Sequence, residues 1–223
     1  AESGSRITNE LVRLVVQASE FDATTVVFLD GFNEFSGLRY GVDPRYDYYW
    51  GVRGDEMLHR PVRHLANGIV ARSRALQLLL WRTGLLEFPA AKPRKIRDAA
   101  IAEAAATYRS SVRKASTWCG ARGMRCLFFV QPVLFDREQA TPVETRLRED
   151  FGRVFPGWDG ALAEGVRLLV SEPELGVVPL GALVREPSEQ LFVDDVHLTK
   201  TGNELVGAGI ARTIRERRGE PVR

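Results

Sequence analysis

An α/β fold with a mostly parallel sheet is what this sequence predicts, on two observations. Residues 24–29 (Thr-Thr-Val-Val-Phe-Leu) and 126–130 (Cys-Leu-Phe-Phe-Val) are short runs of β-branched, aromatic and other apolar residues. They lack the polar alternation of a half-exposed strand, so both read as strands buried on two faces. Segments of helical periodicity precede, separate and follow them, in the order helix, strand, helix, helix, strand, helix. No internal repeat or low-complexity tract interrupts that order.

The elements follow in turn. Ile7, Leu11, Leu14, Val15 and Ala18 share one face of a first helix. The strand at 24–29 ends in Asp30-Gly31-Phe32-Asn33-Glu34, polar residues at the sheet edge where open α/β folds bind ligands. Residues 37–95 read as a long insert and a candidate lid, with Tyr40, Tyr46, Tyr48, Tyr49 and Trp50 clustered in it and a helical stripe of Val62, Leu65, Ala66, Ile69, Leu76 and Leu80. Pro89 and Pro93 break the chain before a helix whose buried face is Ile101, Ala105, Tyr108, Val112, Ala115 and Cys119. Past the second strand, 136–150 is polar and reads as a short helix or mobile loop. Leu162, Val166, Leu169 and Val170 mark a helix over about 159–171, and an apolar segment covers 177–183. The last helix starts after His197, with Thr201-Gly202-Asn203-Glu204 as its capping box and Val206, Ile210 and Ile214 facing inward. Its end is expected to fray over 215–223. The expectation is one domain over 1–217 and a frayed tail over 218–223.

Composition narrows the function classes. An apolar fraction of 44% and a charged fraction of 27% are those of an ordinary globular chain. The net charge of +2 comes from interleaved acids and bases, with arginine far more frequent than lysine. No basic stripe forms, so nucleic acid is not an expected partner. No apolar run approaches the roughly 18 residues that span a bilayer. Ala1 is not an initiator Met, so the natural start is expected upstream, and compartment and oligomeric state stay open. Cys119 and Cys126, seven positions apart, lack zinc-site spacing. A disulfide across the turn at Gly120 and Gly123 is one reading; two buried thiols is the plainer one. His59 and His64 are five apart, off the spacing of two ligands on one helical face, and no phosphate-cradling glycine loop is present, so neither a metal nor an organic cofactor is expected.

Two local patterns carry chemistry. In Asp194-Asp195-Val196-His197, just before a helix, a carboxylate three residues ahead of an imidazole can fold back onto Nδ1–H and leave Nε2 as a base. In Gly31-Phe32-Asn33-Glu34, after a buried strand, the asparagine amide can donate to an oxyanion. Each alone is a common turn sequence. Both, however, are expected at the same sheet edge.

Together they resemble the SGNH, or GDSL-type, serine hydrolases, whose third block is Gly-x-Asn-Asp after a central strand and whose last block is Asp-x-x-His near the C-terminus. Gly31–Asn33 matches the former with Glu34 in place of its Asp, and Asp194 with His197 matches the latter. Residues 128–132 are also similar to a strand of bacterial members with long inserts. The resemblance implies a three-layer, flavodoxin-like αβα fold. It makes His197 the general base, Asp194 its orienting acid, with Asp195 a weaker rival, and Asn33 an oxyanion donor. It implies no cofactor and no metal.

The family's Gly-Asp-Ser nucleophile block is missing, and no Gly-x-Ser-x-Gly elbow replaces it. Residues 1–5, with Gly4, look like the tail of the family's glycine block, and nothing local activates Ser3 or Ser5. The chain therefore reads as N-terminally truncated, with the serine upstream. The expected activity of the intact parent is that of an esterase, deacetylase or lipase-like enzyme on a small-molecule or carbohydrate ester. The alternative is a binding module that has kept the cleft and lost catalysis.

Overall fold

The structure is a computed structural model that describes residues 6–17, 21–40 and 95–219. It is mixed α/β, with a three-stranded parallel sheet in the order β1 (Thr25–Asp30), β2 (Arg125–Val130), β3 (Val178–Pro179). The two strands expected from their apolar runs lie side by side, in register from Thr25 opposite Arg125 to Asp30 opposite Val130. Their C-terminal ends therefore reach one edge together. The apolar segment 177–183 supplies β3, which pairs through Val178 opposite Phe129, and then turns into a short helix, α6 (Gly181–Val184).

Among the described residues the other α-helices are α1 (Ile7–Gln17), α2 (Phe32–Ser36), α3 (Asp98–Ala121), α4 (Pro142–Val154), α5 (Trp158–Leu169) and α7 (Lys200–Arg218). Alternation along β2 sorts them onto two faces. Phe128 and Val130 join the core formed with α1, α3 and α5, whereas Leu127 and Phe129 join the one formed with α6, α7 and the segment before it. Helix α3 fills the first core with every residue of its expected stripe, and Ala100, Ala104 and Ser111 add small side chains that let it lie close. Phe28 stacks on Phe128 across the strand pair, ring centroids 4.9 Å apart.

Several expectations change. On α1, Ile7 and Leu14 are buried and Leu11 packs against the core, but Val15 is 45% exposed, because the helix presents a narrower stripe than the periodicity suggests. Of the two readings for 136–150 the helix is the one that forms: α4 starts at Pro142, after a 3₁₀ turn at Leu134–Asp136, and runs on to Val154. Thr141 accepts from the Glu144 N–H while Glu144 reaches back to the Thr141 N–H, and Pro142 opens the first turn. The last helix is capped by Thr199 rather than Thr201: its Oγ1 accepts from Gly202 N–H at 3.2 Å, and Thr201 already lies inside the first turn. Nor does that helix fray from 215. It runs to Arg218, where Arg215, Arg217 and Arg218 complement the dipole and Gly219 closes it at φ 70°. Cys119 and Cys126 form a disulfide, in place of two thiols, because the tight turn after α3 brings their Cα atoms to 6.0 Å. The tyrosine cluster from 46 onward, the 62–80 helix, His59, His64, Ser3, Gly4 and Ser5 lie outside the described residues. Of the 37–95 insert only its ends are described, residues 37–40 forming a 3₁₀ turn.

Candidate active site

The loop that carries Asp194 and His197 is a small hairpin. Phe192 and Leu198 form an antiparallel bridge, and the Val193 N–H donates to His197 O at 2.9 Å. Inside it, Asp194 is clamped by its own loop. Its Oδ1 accepts the backbone N–H groups of His197 and Val196 at 2.7 and 2.9 Å, which leaves Oδ2 facing the imidazole Nδ1 at 2.6 Å. Partial burial works against ionisation of Asp194, but those two N–H groups and the ring together outweigh it and hold the carboxyl below its usual range. The acid thus stays charged and fixes the tautomer with Nδ1 protonated, while a ring 69% exposed keeps Nε2 accessible.

Asn33 occupies the first turn of α2, directly after β1. The chain makes that corner at Gly31, with φ 120°, where a Cβ would lie 2.7 Å from Val130 Cγ1, so only glycine passes. The Asn33 carbonyl accepts from Arg6 Nε and from Ser36 Oγ, each at 3.2 Å, which anchors the turn. Glu34, the departure from the family pattern, points inward: it is 3% exposed and its Oε1 accepts the Ile7 N–H at 2.8 Å, capping α1. Asp30 is equally buried, and burial followed by the charges of Glu10 and Glu34 pushes its carboxyl up to about 9.

Asp195, the rival acid, faces away from the imidazole. Its Oδ2 accepts from Arg39 Nη1 at 2.9 Å, with both side chains largely buried at 6% and 14% exposure. Burial raises its carboxyl above the usual range even though the guanidinium pulls the other way. Its carbonyl also accepts the Leu134 N–H, from the loop after β2, at 3.0 Å. The approach to the hairpin is braced from below by Glu144, fully buried, whose Oε1 takes the Leu191 and Phe192 N–H groups at 2.8 and 3.0 Å. Arg137, equally buried, neutralises Glu144 and donates to the carbonyls of Val184, Gln139 and Glu189.

The structure thus puts Asp194 and His197 in direct contact and joins the Asn33 segment to theirs through Arg39 and Asp195. Arg39, Glu144 and Arg137 were not found by sequence reading. For Glu144 the capping sequence Thr-Pro-Val-Glu was a usable signal; for Arg39 no local pattern exists. Among the described residues no group of three or more His, Cys, Asp or Glu is arranged to hold a metal, and no helix is long and apolar enough to cross a membrane. A cavity of about 470 Å³ lies elsewhere, between α1 and the outer edge of β1, lined by Glu10, Arg13, Leu14, Phe21, Val26 and Phe28 among others. Comparison with protein-family models, curated proteins and solved structures returned no match.

Proposed function

We propose that the chain carries the base, the orienting acid and an oxyanion donor of an SGNH-type serine ester hydrolase, with a three-layer flavodoxin-like fold and the nucleophile supplied by polypeptide upstream of Ala1. The observation that carries this reading is the Asp194–His197 pair, with Nδ1 held at 2.6 Å by a carboxylate that two backbone N–H groups keep ionised. The edge of β1 supports it. That strand is the edge of the sheet, with no partner on its outer side among the described residues, which leaves room for a neighbour there.

In the proposed reaction the serine Oγ attacks the ester carbonyl carbon while its proton passes to His197 Nε2. The carbonyl electrons move onto oxygen, where the Asn33 amide and backbone N–H groups receive them. Asp194 stabilises the imidazolium through Nδ1–H. Collapse of the tetrahedral species breaks the bond to the leaving alkoxide, which takes the proton from Nε2. Water then repeats the sequence on the acyl-serine and regenerates the serine. No metal or organic cofactor enters these steps.

The test is turnover of a short-chain aryl ester by the polypeptide with its natural upstream sequence. Asn33→Ala is expected to lower kcat by about 10²–10³ with KM little changed, the cost of one oxyanion donor. No ester turnover, together with saturable binding of a carbohydrate, would favour the non-catalytic binding module instead.

A further inference from the structure

We propose that Arg39 is a positioning residue whose ion pair with Asp195 holds the Asp194–His197 hairpin against the segment that carries Asn33. The inference rests on the hydrolase reading for its catalytic meaning, though the tie itself is a matter of geometry. Arg39 sits in the 3₁₀ turn that continues directly from α2, a few residues past Asn33. Its guanidinium lies against three rings, with centroids 5.4 Å away for Phe32, 5.1 Å for Phe155 and 5.4 Å for Trp158. A planar, delocalised cation suits that wall, and the wall orients the N–H that meets Asp195.

On the other side, Asp195 is where three segments of the sheet edge converge. Its carboxylate takes Arg39, its carbonyl takes Leu134 N–H, and its neighbours in the chain are Asp194 and Val196. A buried carboxylate without its cation must either gain a proton or turn out to solvent. In either case the side-chain tie to Arg39 is gone, and the backbone it anchored is the stretch that aims the Val196 and His197 N–H groups at Asp194. Loss of Arg39 is therefore transmitted to the imidazole, although Arg39 does not touch it.

Ring-nitrogen NMR of the ¹⁵N-labelled chain reads this directly, with the His197 signals assigned by their loss in His197→Gln. In the unsubstituted protein at neutral pH the Nδ1–H tautomer is expected to dominate. Arg39→Met keeps an apolar stem among the three rings and deletes the N–H that holds Asp195; the population is expected to move toward the Nε2–H form. Arg39→Lys restores a cation and is expected to restore the tautomer. Asp195→Ala breaks the same tie from the other side and is expected to repeat the effect, which covers a failure of Arg39→Met to fold. A folded Arg39→Met or Asp195→Ala protein that keeps the original tautomer overturns the proposal. In the polypeptide with its upstream sequence, Arg39→Met should also lower kcat about 10- to 100-fold with KM little changed, and an unchanged kcat overturns the positioning role. Absence of ester turnover in the unsubstituted protein counts against the hydrolase reading alone, because the tautomer measurement needs no turnover.

Discussion

Asp194 and Asp195 are adjacent in the chain, yet their surroundings drive their carboxyls in opposite directions. Two backbone N–H groups and an imidazole hold the first below its usual range, while burial raises the second despite Arg39. Only the first touches His197, so the choice between them is made by hydrogen bonds rather than by spacing. Asp30 is a third case. Its folded carboxyl titrates at about 9, whereas an unfolded Asp titrates near about 3.9. The folded state therefore binds this proton more tightly, and the stability it contributes is fully present below about pH 4 and lost as pH rises through about 9. Asp30→Asn is neutral at every pH and keeps the shape. Thermal melts from pH 5 to 9 should show the variant losing less stability than the parent as pH rises. An identical slope would place the proton elsewhere.

At the scale of elements, the caps decide where helices begin. Thr199→Ala should cost about 1 kcal/mol in denaturant unfolding, because it removes the acceptor for Gly202 N–H and the donor to Gln190 O. Thr201→Ala, inside the first turn, should stay within about 0.5 kcal/mol. Periodicity made the long, strongly patterned elements legible: α3 with its stripe, and β1 and β2 with their apolar runs. It left α4 open between a short helix and a loop, because Glu144 is its one buried residue and its apolar positions are few, so no stripe announces the helix. There the signal lay in the Thr141–Glu144 capping sequence instead. The cap of α7 was misplaced for a related reason: two threonines two positions apart both suit the role, and Thr199 wins because the hairpin fixes its neighbours through Thr199 N–H to Leu191 O. The Cys119–Cys126 disulfide closes a short loop and contributes about 2 kcal/mol by restricting the unfolded chain. Sequence spacing alone left it open, because pairing depends on how tightly α3 turns into β2.

At the scale of the molecule, the parallel sheet brings the ends of β1 and β2 to one edge, and the proposed site draws on segments near that edge more than a hundred residues apart. Asn33, Asp194 and His197 could be picked out because each sits in a short pattern with its own chemistry. The link between them could not, because Arg39 and Asp195 are 156 positions apart and meet only once the sheet has formed. The outer edge of β1, unpaired among the described residues, marks where a further strand fits the hydrolase reading. The most direct measurement is turnover of a short-chain aryl ester by the polypeptide with its upstream sequence, before and after His197→Ala. Under the hydrolase reading, hydrolysis falls by at least about 10³-fold in the variant, as when the base of an acyl-transfer triad is removed. Turnover unchanged by His197→Ala would contradict it.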